Sequence, residues 1–199
     1  MNTPYILPLV GLLYALFFSL LSFLRKEGLS LRFLIEALSI TAVFSLLALL
    51  ARILLHPVAF LLVLYVTTMR VRLLVDLGSL LARRGKLAAA GALYSLASAL
   101  GPDPAGALLL RLNQAACSLQ QGRPEEAIPM LQGLLEKASV HGLGIKYRCA
   151  CHYNLGLAYW RKQMLAEAAR ELETILELWP VSEYARRAEA ALEKVRSLS

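Results

Sequence analysis

The chain has 199 residues, of which 58% are hydrophobic and only 18% charged, and its formal net charge is +7. Because soluble domains are usually ~45–50% apolar and ~25% charged, this composition excludes an ordinary soluble protein along the whole length. The basic excess lies in the first 86 residues, beside the most apolar segments, so we expect no nucleic-acid partner, which would require that excess on the folded domain.

The first two predicted elements are apolar helices that could cross a membrane. Pro4–Leu24 carries no charge, and about 20 helical residues span a bilayer core of ~30 Å. No basic region precedes this segment and no cleavage site follows it, so we expect it to remain in the mature protein. Phe33–Ala51 contains one acid, Glu36, one helical turn from Arg32. We expect an interfacial ion pair there; the alternative is a buried functional carboxylate.

The third apolar segment, Ile53–Met69, is interrupted by His56 and Pro57. Because proline breaks a helix, either a tight outer turn precedes a short third span, or the second helix runs on, bent, to Met69. Basic residues flank both ends of the pair of segments, at Arg25, Lys26, Arg32, Arg70 and Arg72. If all of them face the cytoplasm, an even number of spans separates the two groups. We therefore predict a membrane anchor over residues 1–69 with spans 4–24, 33–51 and 53–69; two spans remain the alternative.

A different pattern follows Met69, with amphipathic helices and self-similarity at a period above 30 residues. The clearest unit contains His152, Leu155, Gly156, Tyr159, Ala168, Leu172, Ile175 and Pro180. It resembles the tetratricopeptide repeat (TPR), whose ~34-residue signature is W-x2-L-G-x2-Y, A-x3-F and P. His152 and Leu172 depart from that signature. Gly156 and Ala168 are small where two antiparallel helices must approach closely.

Two earlier copies align with this unit. The first contains Leu74, Leu77, Gly78, Leu81, Gly85, Ala90, Tyr94, Ala97 and Pro102, and the second, more degenerate, contains Asn113, Ala115, Gly122, Ala127 and Leu131. Their turns align at Gly85, Gly122 and Gln163, at spacings longer than the family period. We assign the extra length to loops at Asp103–Gly106 and Ser139–Lys146.

The sequence therefore predicts an all-α protein, with transmembrane helices followed by a TPR α-solenoid over residues 70–199. The solenoid has three helix pairs, at about 71–104, 108–139 and 149–182, and a capping helix at 182–198. In that last helix Tyr184, Ala188, Leu192 and Val195 form one apolar stripe, which would cover the end of the array.

Catalytic and metal-binding patterns are weak in this sequence. The chain has three cysteines, two of which are Cys149 and Cys151. Because residues two apart on a helix point to different faces, these two are poorly placed to share a metal. No G-x-S-x-G, phosphate loop or H-E-x-x-H occurs. We expect a protein that is not an enzyme and holds no cofactor or metal.

The resemblance implies a binding groove on the concave face, lined by the first helix of each repeat. We assign to it Arg72, Ser79, Leu112, Asn113, Ala116, Tyr153, Asn154, Leu157 and Trp160. Members that bind chaperone tails clamp a carboxylate with Lys and Asn, where this chain has Val75 and Ser79. The groove is apolar and aromatic, and suits an amphipathic helix or an apolar peptide. Alternatively, the chain's own cap or membrane-proximal helices cover part of it.

These features predict a membrane-anchored scaffold that binds a protein partner and assists assembly of a membrane complex. The lipid bilayer is its second partner, and the expected location is the cytoplasmic (inner) membrane, with the repeat domain in the cytoplasm. One alternative is a periplasm-facing TPR protein of envelope biogenesis. The other is an accessory subunit of a membrane transporter or enzyme, with Glu36, Arg52 and His56 as its polar set.

Overall fold

The structure, a computed structural model, describes residues 3–24, 30–50, 56–141 and 144–197. Within those ranges it contains ten α-helices and no strand, which confirms the all-α fold class. In chain order they are α1 (Thr3–Leu24), α2 (Leu31–Leu50), α3 (Pro57–Thr68), α4 (Arg70–Arg83), α5 (Leu87–Ala99), α6 (Pro104–Gln120), α7 (Pro124–His141), α8 (Ile145–Arg161), α9 (Leu165–Leu178) and α10 (Glu183–Arg196).

Helices α1, α2 and α3 pack together as an apolar bundle. A side chain at Gly11 would collide with Thr41, so α1 and α2 are in close contact at their centres. The Tyr14 and Thr68 hydroxyls lie 2.7 Å apart, which places the end of α3 against α1. The outer surface is almost entirely apolar; Leu16, for example, keeps 66% of its surface exposed. Both α1 (over Ile6–Leu24) and α2 are long and apolar enough to cross a membrane.

The third apolar segment forms a separate helix, not a bent extension of α2. His56 caps α3, since its Nδ1 accepts a hydrogen bond from the Val58 amide at 3.3 Å, and Pro57 occupies the first turn, where its missing N–H costs nothing. The helix then packs back on α1 and α2. It has 12 residues, fewer than predicted, and at 1.5 Å per residue it is about 18 Å long. Residues 53–55 of the predicted span, with Arg25, Lys26 and Arg52, lie outside the described residues.

Helices α4 to α9 form three consecutive pairs, α4–α5, α6–α7 and α8–α9, and each pair packs on the next. Their three turns share one geometry. Gly85, Gly122 and Gln163 have φ angles of 75°, 78° and 61°, the left-handed conformation that ends a helix in a Schellman motif. The next amide in each turn donates to a carbonyl five residues earlier, as Lys86 does to Leu81 at 2.9 Å. The predicted alignment of these turns is confirmed.

Glycines allow the paired helices to approach closely, as predicted for Gly156. A Cβ atom there would lie 2.9 Å from Leu172 Cγ and 3.3 Å from the Ala168 carbonyl oxygen. In the first pair, a Cβ on Gly78 would lie 2.5 Å from the Tyr94 ring. Neither position has space for a side chain.

Most of the extra length between the helix pairs is helical and does not form the predicted loops; residues 142 and 143 of the second predicted loop lie outside the described residues. Asp103 is the N-cap of α6, its Oδ1 accepting from the Gly106 amide at 2.9 Å, and Pro104 is in the first helical turn. Similarly, α7 continues to His141 and α8 begins at Ile145. The prediction was wrong because Asp followed by Pro is a strong helix start as well as a loop signal. The extra residues lengthen helices, so the second pair covers 104–141 and the third begins at 145.

The last helix covers the end of the array as predicted. Ser182 caps α10, and Ala188, Leu192 and Val195 are buried against the α8–α9 pair, while Tyr184 is half-buried. Helix α9 stops at Leu178, two residues before Pro180. Each pair thereby buries its apolar stripe against a neighbour, and the C-terminal end is closed.

Candidate functional site

A cavity of about 230 Å³ lies where the apolar bundle meets the inner helices of the array. We refer to it as the junction cavity. Helices α1 and α2 contribute Phe18 and Phe33, and α6 and α8 contribute Leu109 and Tyr147 on the opposite side. The first helices of the three pairs, α4, α6 and α8, all contribute to its lining, but of the nine predicted groove residues only Arg72 and Leu112 line it.

An ion cluster forms one wall of this cavity. The Glu36 carboxylate accepts from Arg70 through both oxygens, at 2.7 and 2.9 Å, and from Arg32 Nε at 3.0 Å. The ion pair with Arg32 is the one predicted from the sequence. The second partner, Arg70, was missed because it lies 34 residues away and only the return of α3 brings it to Glu36. Two-oxygen binding of a guanidinium to a carboxylate is among the strongest charge-assisted contacts in proteins.

Arg32 also joins the bundle to the array. Its guanidinium donates to the backbone carbonyl of Gly101, directly after α5. A cation is favourable there because the last carbonyls of a helix carry partial negative charge and lack partners within the helix. The Glu36–Arg32–Gly101 chain of contacts therefore links the start of α2 to the residues that follow α5, and the Glu36–Arg70 pair links α2 to the start of α4.

The structure divides the predicted groove residues among three places. Arg72 and Leu112 line the junction cavity. The Ser79 hydroxyl lies 2.8 Å from Asn113 Oδ1 and links the first two helix pairs. Ala116, on the same helix as Asn113, is half-buried. The remaining residues are on α8, described next.

The residues predicted on α8 lie outside the junction cavity lining. Tyr153 and Trp160 are half-buried beside the α9–α10 cluster, with the Tyr153 and Tyr184 rings 6.2 Å apart. Leu157 packs instead on the cluster of α6, α7 and α8, and Asn154 donates to the Ala150 carbonyl within its own helix. The cap therefore covers part of the predicted aromatic stripe.

Most residues that line the cavity were not predicted as site residues, among them Phe18, Phe33, Arg70 and Tyr147. The two phenylalanines belong to the predicted spans, where an apolar side chain carries no signal for a site. An excess of aromatic residues near the ends of those spans was the available clue. Tyr147 falls in a segment predicted to follow a loop, so its helical face was not considered.

The cavity can hold apolar groups, and the acidic and thiol side chains in its lining are engaged or buried. The two acids in its lining are engaged, Glu36 by two arginines and Asp103 by the start of α6. Its one cysteine, Cys151, is fully buried, and burial raises the pKa of that thiol to about 12, so it is protonated and a poor nucleophile at neutral pH. Cys149 and Cys151 lie in different apolar clusters, so they point apart as predicted. Within the described residues no three potential ligands group to hold a metal.

Comparisons of the chain with protein-family models, with curated proteins and with solved structures gave no match.

Proposed function

We propose that this chain is a membrane-anchored adaptor of the tetratricopeptide kind, which holds a protein partner beside the membrane and catalyses no reaction. The observation that carries the proposal is the position of the junction cavity. It combines the inner face of the helix array with two aromatic side chains of the apolar bundle, Phe18 and Phe33. A partner segment seated there would contact both parts at once.

Three local features support the family assignment. The two helices of each pair are joined by equivalent left-handed turns at Gly85, Gly122 and Gln163. The signature glycines Gly78 and Gly156 lie at close helix contacts, and a final helix covers the last pair. Stacked helix pairs with a terminal cap are the architecture of repeat solenoids. His152, at the position of the signature tryptophan, has its Nδ1 2.7 Å from Glu171 Oε2 and so joins α8 to α9.

The chemistry of the cavity indicates the class of partner. Leu108, Leu109 and Val75 form an apolar floor, with Arg72 at the same site. This volume accommodates a few side chains and not a folded domain. An amphipathic helix or apolar segment of another membrane-associated protein suits it, as in other helix-in-groove interfaces.

The proposed test measures partner capture and folding in the same variants. After crosslinking in the native membrane, Leu109→Ala and Tyr147→Ala, which change two residues that line the junction cavity, should each reduce recovery of a defined crosslinked partner. Tyr147→Ala should cost about 2 kcal/mol or more, roughly 30-fold in affinity. Leu155→Ala is the control, because Leu155 is only 2% exposed and serves the core. If both variants lose capture only in proportion to lost stability, as Leu155→Ala should, the residues are core and the binding proposal fails.

The side of the membrane follows from charge. Arg32 and Arg70 lie at the same end of the bundle, since both bind Glu36. With both at the cytoplasmic face, the array is cytoplasmic, the location we propose. The second candidate, a two-span protein with its array in the periplasm, requires Arg70 at the end of the bundle opposite Arg32, and their shared contact with Glu36 argues against it. A cytoplasm-dependent reporter fused after Ser199 should be active in the first case, whereas activity of an export-dependent reporter there would establish the second.

A further inference from the structure

The first helix pair has an apolar outer surface that no described part of the chain covers. On α4, Leu77 and Leu80 are 47% and 45% exposed, and on α5 Leu96 is 50% exposed. No charged residue occurs anywhere in α5, whose outer side consists mainly of exposed alanines and serines around Leu96. We call Leu77, Leu80 and Leu96, with Ala88, Ala92 and Ala99, the outer apolar face. A helix pair surrounded by water would be expected to carry charges there.

Arg70 shows where the α4 part of this face begins. Residues 70, 73, 77 and 80 follow helical spacing and therefore share one side of α4. Arg70, in the first turn, reaches Glu36 on α2, so this side begins next to the apolar bundle. Val71, Arg72 and Val75 line the junction cavity from another side of α4, and Leu77 and Leu80 are not among its lining residues. The contact between Arg32 and Gly101 places the end of α5 at the same level as the start of α2.

The angle between α3 and α4 adds a second geometric constraint. The two helices meet at 74°. With α3 aligned along the bundle, α4 extends sideways from it, nearly in the plane where the bundle ends. In a bilayer that contains α1 and α2, this plane is the boundary between acyl chains and headgroups.

Charge at the border of the outer apolar face matches that boundary. Arg83, Arg84 and Lys86 are all exposed at the turn between α4 and α5. A helix that lies in a membrane interface combines an apolar side with basic residues at its edge, which contact anionic lipid phosphates. Long basic side chains can cover apolar surface with their stems while the charge remains at the phosphates.

We propose that the α4–α5 pair lies on the membrane surface and that a bilayer containing anionic phospholipid covers the outer apolar face. The inference rests on the membrane location within the proposed function. A second copy of the chain is a poor occupant in a head-to-tail stack. The other end of the array presents the charged outer side of α10, with Arg186, Glu189 and Glu193 exposed. A flat apolar surface next to the lipid-facing bundle continues the same interface.

Fluorescence quenching on the full chain, in vesicles of phosphatidylcholine and phosphatidylglycerol, tests whether the bilayer covers the outer apolar face. An environment-sensitive fluorophore is attached to a cysteine introduced by Leu96→Cys or Leu77→Cys. The three native thiols are buried and should react little in the folded protein. Leu47→Cys, on the outer side of α2, reports insertion of the bundle, and Ala190→Cys, on the outer side of α10, reports a water-exposed helix of the same array.

The expected result is strong quenching of the probes at 96 and 77 by a spin-labelled lipid, with quenching by aqueous iodide several-fold weaker than at 190. Replacing Arg83 and Arg84 together by Glu should reduce the lipid quenching.

If the probe at 47 is quenched by lipid but those at 96 and 77 behave like the probe at 190, this inference is overturned and the membrane anchor stands. Shielding of 96 and 77 from both quenchers means that protein covers the face, which also overturns it. If the probe at 47 is not quenched by the spin-labelled lipid, the membrane location itself is overturned.

Discussion

The two ends of the helix array are built alike inside and differently outside. At the C-terminal end, α10 buries Leu192 and Val195 and directs charged residues to solvent. At the N-terminal end, α4 and α5 leave Leu77, Leu80 and Leu96 about half exposed, with no helix over them. The internal packing is the same at both ends, since Gly78 and Gly156 each touch the second helix of their pair.

This difference indicates that each end is adapted to its neighbour. A repeat array must cover its last apolar face, and a helix with a polar outer side does so in water. The N-terminal end adjoins the apolar bundle, to which Arg32 and Arg70 connect it. Its outer residues therefore do not have to be polar. Leucines are half exposed at this end, whereas Leu192 at the other end is buried.

The largest expected effect separates two leucines at the opposite ends. Leu192→Ala in α10 should lower the free energy of unfolding by about 2–5 kcal/mol, because it opens a cavity at a position only 4% exposed. Leu96→Ala on α5 should change it by less than about 0.5 kcal/mol in detergent, because half of the Leu96 surface is exposed and little protein contact is lost. Chemical unfolding of both variants, followed by circular dichroism, measures this. Equal losses would contradict the difference between the ends.

A second experiment examines the shared interior. Gly156→Leu and Gly78→Leu should each cost about 1–3 kcal/mol, since the added side chain meets Leu172 in one pair and Tyr94 in the other. Gly133→Leu is the matched control, because a Cβ atom there meets nothing within 4 Å. Thermal unfolding midpoints of the three variants in detergent measure the effect. Should Gly156→Leu unfold like Gly133→Leu, the helices of the last pair are not in the close contact described.

The smallest expected effect concerns the attachment of the N-terminal end. Glu36→Gln leaves one acceptor oxygen but removes the charge that binds Arg70 and Arg32. We therefore expect the free energy of unfolding, measured by chemical unfolding in detergent, to fall by about 1 kcal/mol. Glu183→Gln provides the comparison, since its pair with Arg187 is exposed and should contribute about 0–0.5 kcal/mol.

Spin labels on Leu38 and Ser95 give a second readout for the same variants. The distance between α2 and α5 should become more variable in Glu36→Gln and remain unchanged in Glu183→Gln. An unaltered distance distribution in Glu36→Gln would show that the ion cluster does not hold the bundle to the array.

Much of the helical architecture could be predicted because its signals are local. An uncharged run such as Pro4–Leu24 forms an apolar helix, and the small residues Gly156 and Ala168 identify a close helix contact. The starts of α6 and α8 were mispredicted, since Asp, Pro and Gly occur both in loops and at helix starts. The predicted groove differs from the junction cavity because one wall of the cavity comes from α1 and α2, and because the cap covers part of the predicted stripe on α8.

The sequence by itself determined that the chain has apolar helices, then helix pairs, then a cap, because apolar periodicity and turn residues act over a few neighbouring positions. Only the tertiary structure decided that α3 returns along the bundle and brings Arg70 to Glu36. It alone also decided that Arg32 reaches the end of α5 and that Leu77, Leu80 and Leu96 stay uncovered. The physical reason is that contacts between residues 34 or 69 positions apart depend on the angles at which whole helices meet, and those angles result from packing over the entire bundle and array.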